Sequence, residues 1–253
     1  LGLVLSGILA IGSAAYYRYL GRHARTAPLP FDRLGFPEAV LAGILVLWFL
    51  TNLMASPGAE VTVSAQLLIA NALLAFFLVT GLVSFLIVRS HSPLTQFGLT
   101  RAGLRRSLPV VFPALVMALP AIYFIHALSF HFLGATPQPL LDFLARSAGT
   151  SDRLLLIFTA VIVAPISEEL IFRGFLYGVF RRYGGRIPAL LLSAALFAAI
   201  HAHLPAAGGL FVLALALTIV YESTASLWAP ILMHALFNAL TVMTTLLWPN
   251  LMQ

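Results

Sequence analysis

The sequence has 253 residues, 61% of them hydrophobic and 9% charged, with 14 basic and 8 acidic side chains and no cysteine. A soluble domain carries about 25% charged residues, so this chain cannot coat a water-facing surface, and its composition reads as an all-α polytopic membrane protein. Every basic residue is arginine, and membrane topology accounts for the net charge of +6 without a nucleic-acid partner. The lack of cysteine excludes a disulfide framework and any thiolate-held metal.

Apolar runs of roughly 17 to 25 residues mark membrane helices. They predict spans over 1–17, 38–54, 63–88, 108–133, 153–180, 188–203, 208–221 and 227–248, about eight in one integral membrane domain covering 1–253. The sequence opens on Leu1 rather than methionine, which leaves room for upstream residues, a cleaved signal among them. Boundaries are least defined where the short links 204–207 and 222–226 admit bent or re-entrant segments. Arg18, Arg22, Arg25 and Arg33 follow the first span, Arg89, Arg101, Arg105 and Arg106 the third, and Arg181, Arg182 and Arg186 the fifth. By the positive-inside rule these loops are cytoplasmic and both termini face out, with Arg146 and Arg153 on the opposite side and Arg173 inside a span. Residues 97–108, where Leu99, Leu104 and Leu108 oppose Arg101, Arg105 and Arg106, read as a short interfacial helix or a solvated loop helix.

The fifth span breaks the apolar pattern with Glu168, Glu169 and Arg173. Each ionisable group costs about 2.5 to 3.5 kcal/mol at the centre of a membrane helix. A single Glu–Arg pair is explained by helix locking, whereas two adjacent acids with one arginine leave a carboxylate over. Glu169 and Arg173, four apart, are expected to bridge along one face, while Glu168 lies roughly 100° round the helix and faces elsewhere. Pro165, one turn earlier, is expected to free the carbonyl of Val161 and kink the helix beside the acids.

The sixth span contains Phe197 and His201, and the eighth His234 and Asn238 on one helix face. Counted from the helix ends, Glu168 and His201 fall at similar depth, and His234 is shallower unless its helix begins earlier or tilts, which suggests a cavity open to the cytoplasm. His23, His91, His126, His131 and His203 are read as structural or loop histidines, and Glu222 as an acid at headgroup level with a role in substrate binding left open.

These segments together resemble the CPBP family of intramembrane proteases, also called the Abi or CAAX-protease family, whose motifs are EExxxR, FxxxH and HxxxN. They are matched here by Glu168, Glu169 and Arg173; Phe197 and His201; and His234 and Asn238. The resemblance covers about the last hundred residues, from Leu154 onward, which makes 151–253 the CPBP-like catalytic core and leaves 1–150 as helices of unassigned role. It implies an intramembrane endopeptidase with a conical cavity in the membrane.

Peptide hydrolysis needs an activated water, an oxyanion stabiliser and a proton donor. Glu168 is expected to be the general base, with Glu169 kept ionised by Arg173; His201 positions or deprotonates the water, and His234 with Asn238 donates to the oxyanion. The resemblance implies the same roles. Ser167 and Ser193 lack a nucleophile elbow. Glu168, His201 and His234 are also the ligand types of a catalytic zinc site, and zinc-assisted and metal-free glutamate-dependent routes both stay open. The expected substrate is membrane-associated or lipidated, the tail of a prenylated CAAX protein or a bacteriocin-type leader. The expected location is a bacterial inner membrane, with the cavity toward the cytoplasm. A proton- or ion-coupled transporter and a non-catalytic immunity or scaffold protein are the competing readings.

Overall fold

The computed structural model describes residues 2–22, 34–55, 63–90, 92–134, 138–146 and 149–247, and among them there is no strand. Arg25, Arg33, His23, His91 and Trp248 lie outside the described residues. The chain runs through α1 (Gly2–Arg22), α2 (Phe36–Ala55), α3 (Ala65–Ser90), a single turn α4 (Pro93–Gln96), α5 (Arg101–Leu133) and a short α6 (Pro139–Arg146). A long rod follows, built of α7 (Thr150–Phe158), a π segment (Thr159–Val163), α8 (Ala164–Glu169), a second π segment (Leu170–Leu176) and α9 (Tyr177–Gly184). Then come α10 (Arg186–Ile200), α11 (Leu204–Thr224) and α12 (Trp228–Leu247).

The protein is an all-α polytopic membrane protein. Six helices among the described residues are long and apolar enough to cross a membrane, those of residues 36–54, 65–89, 94–133, 150–184, 204–224 and 228–247. The other two of the eight expected spans are helical but fall short of that measure. The last turns of α1 hold Tyr16, Tyr17, Arg18, Tyr19 and Arg22. At 15 residues α10 is about 22 Å long against a hydrocarbon core of about 30 Å. Expected link 204–207 belongs to α11, which starts with Pro205 in its first turn and is capped by His203, whose Nδ1 accepts the Ala206 amide at 3.3 Å.

The expected short interfacial helix is instead the opening of the 33-residue α5. Thr100 caps it by accepting the Gly103 amide at 3.0 Å, and at about 50 Å the helix overreaches the hydrocarbon core, so its first arginine-bearing turns project from the apolar layer. The segment just before it turns inward. Leu227 donates its amide to the Phe97 carbonyl at 2.9 Å, and the Ser226 hydroxyl donates to the Gly98 carbonyl at 2.8 Å, so 97–98 seats the turn between α11 and α12. That contact is close enough to require glycine: Gly98 has φ +69°, and a Cβ there would stand 2.2 Å from the Ala225 carbonyl oxygen.

Inside a membrane, helices gain little from hiding apolar surface from lipid and associate through close packing of small residues. The α5–α11 interface follows this rule. Ala114, Ala118 and Ala216 are buried along it, and a Cβ on Gly208 would meet the Ser129 hydroxyl at 2.6 Å. His126 lies against Gly209 in the same seam and against the Phe130 ring, so it packs rather than reacts. α1 packs on both α5 and α11 and is pinned by a hydrogen bond from the Tyr17 hydroxyl to the Ala114 carbonyl, 2.6 Å.

The arginine-bearing ends of these helices gather together. Glu222, expected at headgroup level, stands at the end of α11 among the arginine-bearing helix ends and is 3% exposed. It is neutralised by Arg186, which donates from Nη2 at 2.7 Å, and by Arg181, and it also accepts the Tyr177 hydroxyl at 2.5 Å. A second ion pair, Arg89 to Glu38 at 2.9 Å, joins the end of α3 to the start of α2, where Glu38 also accepts the Gly35 amide at 2.7 Å.

Gly103 tests the seating of α12, since a Cβ there would stand 1.9 Å from the Gly98 carbonyl oxygen. Gly103→Ala is expected to lower unfolding stability in detergent by about 1–3 kcal/mol, the scale of locally strained backbone, measured by thermal or denaturant unfolding. An unchanged midpoint would contradict the contact.

Candidate active site

Three elements converge on the site: the rod from α7 to α9, the end of α10, and α12. The local fold of the rod decides where its side chains point. In the first π segment the Ala164 amide reaches back five residues to the Thr159 carbonyl. In that register the amide that Pro165 lacks would have served Ala160, so the orphan carbonyl is that of Ala160 rather than Val161. Asn238 of α12 fills the gap, its Nδ2 donating to the Ala160 oxygen at 2.8 Å. The proline therefore acts through a π bulge, a device common at functional sites, and the second π segment begins directly after Glu169.

Glu169 and Arg173 pair as their spacing requires. Arg173 Nη1 donates to Glu169 Oε1 at 2.8 Å, with both side chains fully buried. The guanidinium has further partners: Nη2 donates to the Ala214 carbonyl at 3.1 Å, Nε faces the Thr218 hydroxyl at 3.4 Å, and the Phe197 ring lies 4.6 Å from Cζ. Burying a lone ion costs several kcal/mol even after relaxation, and this cation is compensated on every polar edge.

The same Glu169 oxygen holds His234, whose Nδ1 lies 2.9 Å away. An ionised carboxylate only accepts, so Nδ1 carries a proton, and in the neutral form of the ring Nε2 presents a lone pair. That nitrogen faces Glu168 Oε2 at 4.0 Å. Glu168 keeps 24% of its side chain exposed, and its Oε2 is buried without a hydrogen-bond partner. The two adjacent acids are thus unlike, one locked between an arginine and a histidine, the other open.

His234 lies shallower than Glu168 only if Leu227 marks the membrane surface, and the structure instead brings the two together. Leu227 is fully buried, donates to Phe97, and packs where a Cβ on Gly174 would stand 3.1 Å from it, so α12 starts at the depth of Gly174. His201 is at the end of α10, where Nδ1 lies 2.8 Å from the Phe197 carbonyl. A helix ending at this depth leaves carbonyls without amide partners, and the imidazole N–H satisfies one of them. His201 makes no ion pair with Glu168 or Glu169 among the described residues. Phe197 links the two histidines instead, its ring centroid 4.9 Å from His201 and 5.7 Å from His234, and it meets Phe172 edge-on at 5.3 Å. Ser167 bonds to the Val163 and Ala164 carbonyls of its own helix.

A zinc ion needs three protein ligands at about 2.0–2.3 Å from one point. Among the described residues no three His, Cys, Asp or Glu side chains are grouped to hold a metal, and with the Phe197 ring packed against both imidazoles, Glu168, His201 and His234 do not fit one in this arrangement. An apolar cleft of about 570 Å³ between α1 and α5, lined by Ile8, Ile11, Ala14, Ala121 and Phe124, shares no residue with the site.

Residues 150–240 match the family model described as Type II CAAX prenyl endopeptidase Rce1-like. Residues 150–240 are thus similar to an Rce1-like protease domain, consistent with the CPBP family. All of Glu168, Glu169, Arg173, Phe197, His201, His234 and Asn238 fall within the matched segment. The match supports an intramembrane endopeptidase and favours hydrolysis over the transporter and scaffold readings. No curated protein and no solved structure matches the chain. Two participants in the Rce1-like site left no trace in the sequence motifs, Thr218 and the carbonyl of Ala214, because a single threonine in an apolar helix and a backbone oxygen carry no pattern.

Removing Arg173 would strand a buried carboxylate. Arg173→Ala is expected to destabilise the folded protein by about 3–5 kcal/mol, the cost of breaking a buried pair from one side. Glu168→Ala should leave the unfolding midpoint near that of the wild type, and equal losses from the two substitutions would overturn the division between the acids.

Proposed function

We propose that the protein hydrolyses a peptide bond of a membrane-associated substrate with a water held between Glu168 and His234. The observation that carries this reading is the unpartnered Glu168 Oε2 at 4.0 Å from His234 Nε2. With Nδ1–H given to Glu169, Nε2 is an acceptor, and so is the carboxylate. Two acceptors at this spacing are too far apart for a direct hydrogen bond and are joined by a molecule with two donors, which is what water supplies.

Glu168 accepts one proton of that water as its oxygen attacks the scissile carbonyl, and later returns the proton to the leaving amine. Asn238 gives one N–H to Ala160 and retains a second for the oxyanion. His234 can donate to the oxyanion only with a proton on Nε2, so in its neutral form its first role is to aim the water. His201, with Nδ1–H on the Phe197 carbonyl, likewise offers Nε2 as an acceptor and orients the nucleophile from the α10 side. Every step is met by protein groups, with no metal in the path.

The substrate class is the tail of a lipidated CAAX-type protein or a bacteriocin-type leader, supported by the Rce1-like match and by the position of the site within the helices. The arginine excess at one end of the helices supports a cytoplasmic-facing site, and the lysine-free composition supports a bacterial inner membrane.

Glu168→Gln keeps the shape and removes the base. In detergent or nanodiscs with prenylated and unprenylated peptide libraries, it is expected to lower kcat by about 10²–10⁴, the usual share of general-base catalysis, with an unchanged unfolding midpoint; wild-type turnover would end the proposal. Exhaustive chelation, with elemental analysis showing zinc far below one per chain, is expected to leave cleavage intact. Loss of cleavage that zinc restores would replace this route with a metal-assisted one.

A further inference from the structure

We propose that Thr218 of α11 is a positioning residue for the hydrolysis, setting the proton location on His234 through Arg173 and Glu169. The inference rests on the reading of the site as hydrolytic. It starts from the orientation of one hydroxyl. Thr218 Oγ1 donates to the Ala214 carbonyl at 2.9 Å, so its hydrogen is committed and a lone pair remains. That lone pair faces Arg173 Nε at 3.4 Å, while Arg173 Nη2 donates to the same Ala214 oxygen at 3.1 Å.

Back-bonding to the carbonyl four residues earlier is common in this chain. Ser107, Thr241 and Thr245 do it with no outside partner among the described residues. Thr218 differs in that a buried cation from another helix uses the remaining lone pair. A guanidinium is a rigid plane, and three fixed edges define its orientation. With only the Nη1–Glu169 bond, the plane could turn about that contact. The Ala214 carbonyl and the Thr218 hydroxyl hold the other two edges, and Phe197 covers a face.

The consequence reaches the reacting atoms in two hydrogen bonds. Arg173 fixes Glu169 Oε1, and Oε1 takes the Nδ1 proton of His234. If the carboxylate swings away, the proton is free to move to Nε2, and the nitrogen facing Glu168 changes from acceptor to donor. A water aimed by two acceptors is then aimed by one. Thr218 is nearly isosteric with valine, so its hydroxyl can be removed with little change of shape, and serine restores it.

The experiment compares wild type, Thr218→Val and Thr218→Ser in nanodiscs by steady-state cleavage and by NMR of ¹⁵N-histidine-labelled protein, the His234 signals being assigned by their absence in His234→Gln. Wild type is expected to show a neutral His234 with the proton on Nδ1. Thr218→Val is expected to populate the Nε2–H form and to lose about 10-fold in kcat, at the lower end of what outer partners of a site contribute, with KM within about twofold. Thr218→Ser is expected to recover both signals. A Thr218→Val protein with wild-type kcat and an unchanged His234 tautomer would overturn the proposal. So would a loss of activity that merely tracks a lost folded fraction and that serine does not repair. The NMR signature is read without substrate, so failure of the hydrolytic reading, seen as full activity in Glu168→Gln, is distinguished from failure of this one.

Discussion

The structure depends on one buried cation. Arg173 is fully buried in the protein core and is made tolerable by Glu169, the Ala214 carbonyl, the Thr218 hydroxyl and the Phe197 ring. A hydrophobic residue in its place would avoid the desolvation cost, and buried ion pairs are often no more stabilising than apolar replacements. What the pair provides is a carboxylate whose position and charge are fixed. Glu169 is a rigid acceptor, and a rigid acceptor determines which nitrogen of His234 bears hydrogen. The second acid, Glu168, can then stay uncommitted. Two neighbouring residues of one type acquire separate duties because only one of them faces the arginine.

The backbone of the rod is shaped to the same end. π turns are rare and cost regular hydrogen bonding, yet two of them flank the six-residue α8 that bears both acids. The first leaves the Ala160 carbonyl open because Pro165 has no amide, and Asn238 closes it. Asn238 and His234 lie one turn apart on α12, so the helix is tied to the rod at two levels, once to backbone and once to Glu169. The second contact fixes a ring whose remaining nitrogen faces Glu168. In hydrocarbon no water is at hand to satisfy an orphan carbonyl, and the repair of backbone irregularities becomes the means by which functional side chains are oriented. His201 follows the same logic at the end of α10.

Local spacing made much of this legible in the sequence. The four-residue interval of Glu169 and Arg173 gives their pairing, the order of three motifs on apolar helices gives the family, and the composition gives the fold class. What failed depends on long-range geometry. The depth of His234 hangs on where α12 begins, and apolar length cannot reveal that the turn at Ser226 and Leu227 is pulled inward by Phe97 and Gly98, some 130 residues away. The freed carbonyl was assigned to Val161 because an α register was assumed where the helix adopts a π register. The burial of Glu222 is likewise not legible locally, because Arg181 and Arg186, 41 and 36 residues earlier, meet it only after α9, α10 and α11 are packed.

The segment that matches the Rce1-like model does not form its site in isolation. Its last helix starts from a turn seated by Phe97 and Gly98, which precede the match. Phe49 of α2 stacks on Phe172 at 5.8 Å, and Phe172 in turn supports Phe197, the ring that touches both histidines and the arginine. α5 lies along α11 through a seam of alanine and glycine, and α11 supplies the carbonyl and the hydroxyl that hold Arg173. Reach from the N-terminal helices to the reacting atoms is therefore short: α5 sets α11, α11 sets Arg173, and Arg173 sets Glu169 and His234. Sequence in those helices is constrained mainly by size at the seam and by glycine at the turn. Both requirements are compatible with almost any apolar composition, which is why the same helices carry no recognisable motif and still govern the geometry of the one that does.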